Sequence, residues 1–224
     1  MQLRCLPLLF AGLAALALRG QEPVASGKAT TPPAVPDWAL PGSSTHKQVA
    51  PPPDFHRPSV NFAVPIGIFE GQSDIGGAVV PGSASFDAAA GRYTVRSAGY
   101  NVWYTRDEFR YLWKKMAGDV SLAADIAFPN PEGFGDRKAV LVIRQNLDDD
   151  ATEALVALLE KHGDEFMLFV SLEGEPMHAF GPPITLHLEA PFCVGLGFCS
   201  HQPATIDAAV FSRVVLENAA GRIR

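Results

Sequence analysis

Trp103 stands beside Tyr100, Asn101 and Tyr104, and a strongly β-forming stretch further along ends in Arg144-Gln145. An exposed indole can stack on a pyranose ring while amide and guanidinium groups hold its hydroxyls. Trp103, Asn101, Arg144 and Gln145 are therefore a candidate ligand-binding set. Large aromatics also serve as core, so Trp103 and Trp113 can each be read that way instead. The carboxylates make weaker patterns. Asp148-Asp149-Asp150 could offer oxygens to calcium, but no regular ligand spacing accompanies them. A charge run of this kind is usually a solvated turn. Glu173 and Glu175 could be paired for glycoside hydrolysis, which needs two carboxyl groups about 5–10 Å apart; Gly174 and Pro176 make that stretch a turn.

The histidines are His46, His56, His162, His178, His187 and His201. None has the i, i+4 or cysteine-paired spacing of a zinc site. There is no Gly-x-Ser-x-Gly nucleophile motif. The residues thus point to no catalytic group, no metal and no cofactor. Net charge is −6, with no basic run and no interleaving of aromatic and basic residues, which argues against nucleic acid as a partner.

The elements that must position these groups are strands. The most informative is Phe192 to Ser200, which leads into His201. Its even positions are Phe192, Val194, Leu196 and Phe198, and its odd positions are Cys193, Gly195, Gly197 and Cys199. Side chains alternate faces along a strand, so one face is apolar and the other almost bare. Glycine inside a strand marks a close approach by a ligand or another backbone. Gly195 and Gly197 therefore join the candidate ligand face, and His201, leaving the strand at its end, joins them. A hydrogen-bonded loop histidine is the plainer reading of His201. Cys193 and Cys199, six residues apart on one strand, would lie roughly 20 Å apart. Bridged Cα atoms lie about 5.5 Å apart, so both are expected to be free and buried.

Strands are expected at Ser83 to Asp87 and Arg92 to Ser97, forming a hairpin with Tyr93 and Val95 inward. Others are expected at Val120 to Phe128, Lys138 to Gln145, Phe166 to Leu172, Ile184 to Leu188 and Val210 to Glu217. Asp107 to Lys115 places Phe109, Leu112 and Trp113 on one helical side, with Gly118 as a stop, and predicts one short helix. Asp149 to Lys161 is ambiguous. Asp150 with Glu153 resembles a capping box and the composition favours helix.

The chain opens with Met1-Gln2-Leu3-Arg4, an apolar run from Cys5 to Leu18, then Arg19-Gly20. That run is shorter than the roughly 20 residues a bilayer span needs and has the layout of a secretory signal peptide. Residues 1–20 are read as the signal and 21–58 as a Pro-rich linker with composition too polar to order itself. Residues 59–218 are read as one domain large enough for a real core, and 219–224 as a tail. The expected product is secreted or periplasmic, with no membrane span after cleavage.

Several motifs together resemble a known family. They are His56-Arg57-Pro58-Ser59, Phe69-Glu70-Gly71-Gln72-Ser73-Asp74-Ile75-Gly76, Pro81-Gly82-Ser83, and Tyr111-Leu112-Trp113-Lys114-Lys115 with Gly118-Asp119-Val120. The run from Gly195-Leu196-Gly197 through Ser200-His201 to Val210-Phe211-Ser212 completes the set. The chain resembles the concanavalin-A-like (jelly-roll lectin/glucanase) domain of unknown function of bacterial exported proteins, often found with TolB-type propellers. The resemblance covers roughly residues 56 to 217. It implies an all-β, two-sheet jelly-roll sandwich. It also implies that Leu155 to Lys161 is strand, hairpinned through His162-Gly163-Asp164 to Phe166, which we favour over helix. Relatives carry a further strand region after Arg144-Gln145-Asn146-Leu147-Asp148, so the sandwich is expected to be shortened by about two strands. The glucanases of this superfamily carry a Glu-x-Asp-x-x-Glu strand, and this chain has none. By fold analogy the expected function is a non-catalytic exported module binding carbohydrate or another cell-envelope polymer. The alternatives are a structural or accessory component of a Tol-like envelope system with protein partners, and a vestigial glycoside-hydrolase-like domain.

Overall fold

The computed structural model describes residues 57–102, 106–159, 165–171, 178–179 and 187–224, with side chains up to 157 and from 187. The expected signal peptide, nearly all of the linker, Trp103, and the Glu173–Glu175 pair lie outside the described residues.

The first sheet has eight strands in the order β1 (Val60–Phe62), β2 (Gly71–Ile75), β5 (Phe109–Met116), β11 (Phe192–Cys199), β7 (Lys138–Arg144), β8 (Glu153–Leu159), β9 (Glu165–Ser171) and β10 (His178–Ala179). All neighbours are antiparallel. The second sheet joins β3 (Ser83–Asp87), β4 (Arg92–Ser97), β12 (Asp207–Asn218) and β13 (Gly221–Arg222). β6 (Val120–Ala127) lies on the far side of β12, because Val210 and Phe211 pair with β4 on one edge and β6 on the other. The β12–β6 ladder slips between Ser212 and Val215, where Arg213 takes φ 49°. That is the unpaired extra residue of a bulge. The molecule is thus all-β with two curled antiparallel sheets, consistent with a β-sandwich, and no described residue is helical.

The hairpin β3–β4 falls where its sequence pattern puts it, with Tyr93 and Val95 buried. Residues 153–159 are strand, paired antiparallel to β7 and β9, rather than the helix that local propensity favours. The short helix over Asp107 to Lys115 is corrected: Phe109–Met116 is strand β5. It sits between β2 and β11 and is buried on both faces along its first five residues. A strand buried on both faces has no polar stripe, so its period is invisible in sequence, and pairing overrides propensity. His187 and Leu188 are not in a strand; the rest of the Ile184 to Leu188 expectation lies outside the described residues.

One core lies between the sheets, where Leu112, Ala139, Leu196 and Phe198 meet Tyr93, Val95, Ala209 and Phe211. A second fills the inside of the curl on the other face of the first sheet. It gathers Phe109, Tyr111 and Trp113 of β5 with Val140, Val142, Leu155, Cys193 and Cys199. The bare face of β11 is therefore not open. A Cβ on Gly197 would come within 2.6 Å of the Phe109 ring and 2.8 Å of Val140 Cγ2. One on Gly195 would meet the Leu112 carbonyl oxygen at 1.8 Å, and one on Gly71 the Trp113 ring at 2.4 Å. The three β5 rings arch over the neighbouring glycines, which is how a curled sheet fits large side chains on its crowded inner face. Their polar ends are met: Trp113 Nε1 donates to Ser73 Oγ at 2.9 Å, and Tyr111 O–H to the Val142 carbonyl at 3.3 Å. Cys193 and Cys199 are free and buried, as their spacing predicts.

The clash at Gly195 is with backbone, which cannot rotate away, whereas Gly197 faces side chains with some freedom. Gly195→Ala should cost about 3 kcal/mol and Gly197→Val about 1–3 kcal/mol. Urea unfolding checks both; a loss under about 1 kcal/mol at Gly195 would contradict the packing described.

Candidate functional site

The structure does not collect the candidate residues on one accessible face. Asn101, Arg144, Gly195, Gly197 and His201 are all buried, and Gln145 is half-buried. Gly195 and Gly197 are spent on ring packing and line no groove. Gln145 exchanges both its amide groups with the backbone of Glu189 at 2.8 and 2.9 Å, tying the end of β7 to the entry of β11. Asn101 accepts from Lys138 Nζ at 2.7 Å, and its carbonyl accepts from the Glu108 N–H at 2.7 Å. Apart from Trp103, which lies outside the described residues, this set thus sits inside the protein or at its half-buried margin.

Arg144 anchors a buried ionic cluster. Its Nη1 lies 3.3 Å from Asp107 Oδ2 and 3.2 Å from Glu153 Oε2, its Nε donates to the Asn146 carbonyl, and its Nη2 to that of Asp148. The guanidinium lies 5.3 Å over the Phe109 ring. Burial, then the charge of Glu153, pushes the Asp107 carboxyl well above its ordinary range. Burial also raises Glu153, with Arg144 opposing. The pair resembles an acid–carboxylate dyad, but its side chains are 7% and 0% exposed. That leaves no room for the substrate and water such chemistry needs. Nearby, Arg57 pairs with Glu108 at 3.0 Å, and Arg106 with Asp150 at 3.2 Å and Asp149 at 3.9 Å. The Arg57 N–H donates to Asp149 and the Asp107 N–H to the Asp149 carbonyl. The aspartate run is thus a clasp that fastens segment 106–108 and Arg57 to the β7–β8 turn. Among the described residues no group of three or more His, Cys, Asp or Glu could hold a metal ion.

His201 is fully buried at φ 62°, a conformation uncommon outside glycine. Its N–H donates to the Gly99 carbonyl at 3.0 Å, and its ring lies between Tyr100 (5.0 Å) and Phe134 (5.4 Å, near-parallel). It joins three segments at one end of the sandwich: 98–102, 128–137 and 200–206.

Between two of those loops is an open cleft of about 250 Å³ lined by Asn130, Glu132, Gly133–Gly135, Gln202 and Thr205–Asp207. Its floor is built. Asp207 Oδ2 accepts from the buried Arg137 at 2.6 Å, and Oδ1 accepts from Asn130 at 3.4 Å and from its neighbour's N–H at 2.8 Å. Arg137 lies 4.4 Å over the Phe128 ring. A Cβ at position 133 would lie 1.6 Å from Arg137 Nη1, so only glycine lets the arginine reach Asp207. Two signals of this cleft are in the sequence: Gly133-Phe134-Gly135 between polar residues, and Ile206 between Thr205 and Asp207. No family model, curated protein or solved structure matches the chain.

Burial raises Glu108 to about 7 against the pull of Arg57. The folded state therefore binds this proton more tightly than the unfolded chain, whose glutamate titrates near 4.3. Stability from it is full below that value and lost as pH rises through about 7. Asp107 and Glu153 add in the same direction. Lowering the pH from about 8 to about 5.5 should stabilise the native protein by on the order of 2 kcal/mol more than it stabilises Glu108→Gln. Denaturant midpoints of both proteins at the two pH values check this; equal pH slopes would contradict it.

Proposed function

We propose that this chain is an exported, non-catalytic binding module of concanavalin-A-like jelly-roll type, shortened by about two strands. Its ligand is carbohydrate or another cell-envelope polymer, taken up through the loops at one end of the sandwich. The supporting observation is the distribution of polar groups. The inner face of the curled sheet is closed by Phe109, Tyr111 and Trp113, and the carboxylates of Asp107 and Glu153 are held against Arg144. An open concavity with a polar lining lies instead among end loops cross-braced by His201.

A protein-partner reading, as an accessory of a Tol-like envelope system, has its own observation. β8 continues the first sheet past β7, and its Ala154 and Val156 are only half-buried beside Leu122, Leu141 and Ile143, around an apolar cleft of about 150 Å³. β6 ends the second sheet on that side, and among the described residues no strand pairs with its outer edge. A free edge beside an uncovered apolar surface is the usual template for strand addition.

The two readings separate in a retention experiment. Exported protein, with its N-terminus expected near Gln21, is passed over insoluble polysaccharides and purified cell-wall polymer. Retention that a soluble fragment of the same polymer competes away is the expected result. Absence of retention, together with an envelope protein crosslinked at position 156 (Val156→Cys), would replace the first reading with the second.

A further inference from the structure

We propose that the cleft between segments 130–135 and 202–207 is a binding site for a neutral saccharide. This inference rests on the binding-module reading above and gives that module a place and a ligand class. The cleft offers hydrogen-bonding groups and an apolar surface side by side. Asn130, Glu132 and Thr205 are exposed and Gln202 is half-buried, while Ile206 keeps 47% of its surface in water. A pyranose has the matching alternation, with hydroxyls around its rim and C–H groups on its faces. Sites for such ligands combine apolar contact with a few directed polar groups.

Charge selects a neutral ligand over a cation. The Asp207 carboxylate is engaged on both oxygens by Arg137, Asn130 and a backbone N–H. Its charge is compensated before any ligand arrives. Glu132 is exposed, and among the described residues it forms no ion pair. It remains as one acceptor for a charge-assisted O–H···O bond, which is stronger than a neutral one. The floor is also fixed in advance. Arg137 is fully buried, held over Phe128 and against Asp207, and Phe134 is stacked on His201. A site whose loops are already ordered loses less entropy on binding. The cleft of about 340 Å³ beside Arg57 lacks this character, since its Asp149 and Asp150 are committed to Arg106.

The test is an array of neutral cello-, laminari-, xylo- and chito-oligosaccharides, followed by calorimetric titration of any that bind. Wild type should bind at least one. Glu132→Gln and Ile206→Asp should each weaken that association about tenfold with the melting temperature unchanged. Should Ile206→Asp unfold, the amide NMR shifts of Gly133, Gly135 and Thr205 in the wild type decide, and they should move on titration. A glycan bound equally by both variants, with those amides unmoved, overturns this site and leaves the binding-module reading standing. Binding of spermidine, lost in Glu132→Gln, with no glycan bound, overturns the ligand class. No binding of any glycan or cell-wall polymer overturns the reading and the site together.

Discussion

Three rings of β5 lying over the glycines of β2 and β11 are the contact on which the architecture turns. A curled sheet has less room on its inner face than on its outer one, so large side chains there must alternate with bare backbone. Phe109, Tyr111 and Trp113 supply the volume, and Gly71, Gly195 and Gly197 supply the space. With that face closed, β11 is buried at all eight positions. The sheet then packs apolar surface on both sides, against the second sheet and within its own curl. A function that needs an accessible surface therefore cannot use the glycine face of β11.

The charged residues follow from the same closure. Segment 106–108 and the turn after β7 converge around the filled curl, and their backbones meet at Asp107 and Asp149. Arg144, buried beneath them, needs acceptors, and two carbonyls and two carboxyls provide them. A buried cluster of this kind is costly to desolvate and brings little net stability, but leaving one member alone would cost more. Burial pushes the carboxyls of Asp107 and Glu153 upward, and Arg144 opposes it. At the opposite end of β7, Arg137 and Lys138 do the complementary work, bracing the loops that carry the cleft.

The sandwich class was legible because its signals are local. The β3–β4 hairpin follows from alternation around a turn with Gly91 at φ 62°. The β11 pattern announced a tight approach, and its two cysteines were readable as free from strand geometry alone. β5 was misread as helix because both of its faces are apolar or paired, which erases the two-residue period. The strand at 153–159 was recoverable only through resemblance, since Ala, Leu and Glu favour helix. The sites were harder. Trp103 is outside the described residues, while Asn101, Arg144 and His201 are buried, which residue type alone does not reveal.

Residue type and spacing were enough to determine the class of fold, the inward face of β4 with Tyr93 and Val95, and the need for something to pack over Gly195 and Gly197. Tertiary structure alone decided what that something is. A missing Cβ records that space is taken, but whether by ligand, ring or carbonyl depends on which strands become neighbours. The same holds for charge. Arg144 beside Asp107 and Glu153, and Arg137 beside Asp207, join residues 9 to 70 positions apart, and sequence carries no term for that distance. Exposure of a polar group is a property of its neighbours, so the candidate site moved from the glycine strand to the end loops only once the neighbours were known.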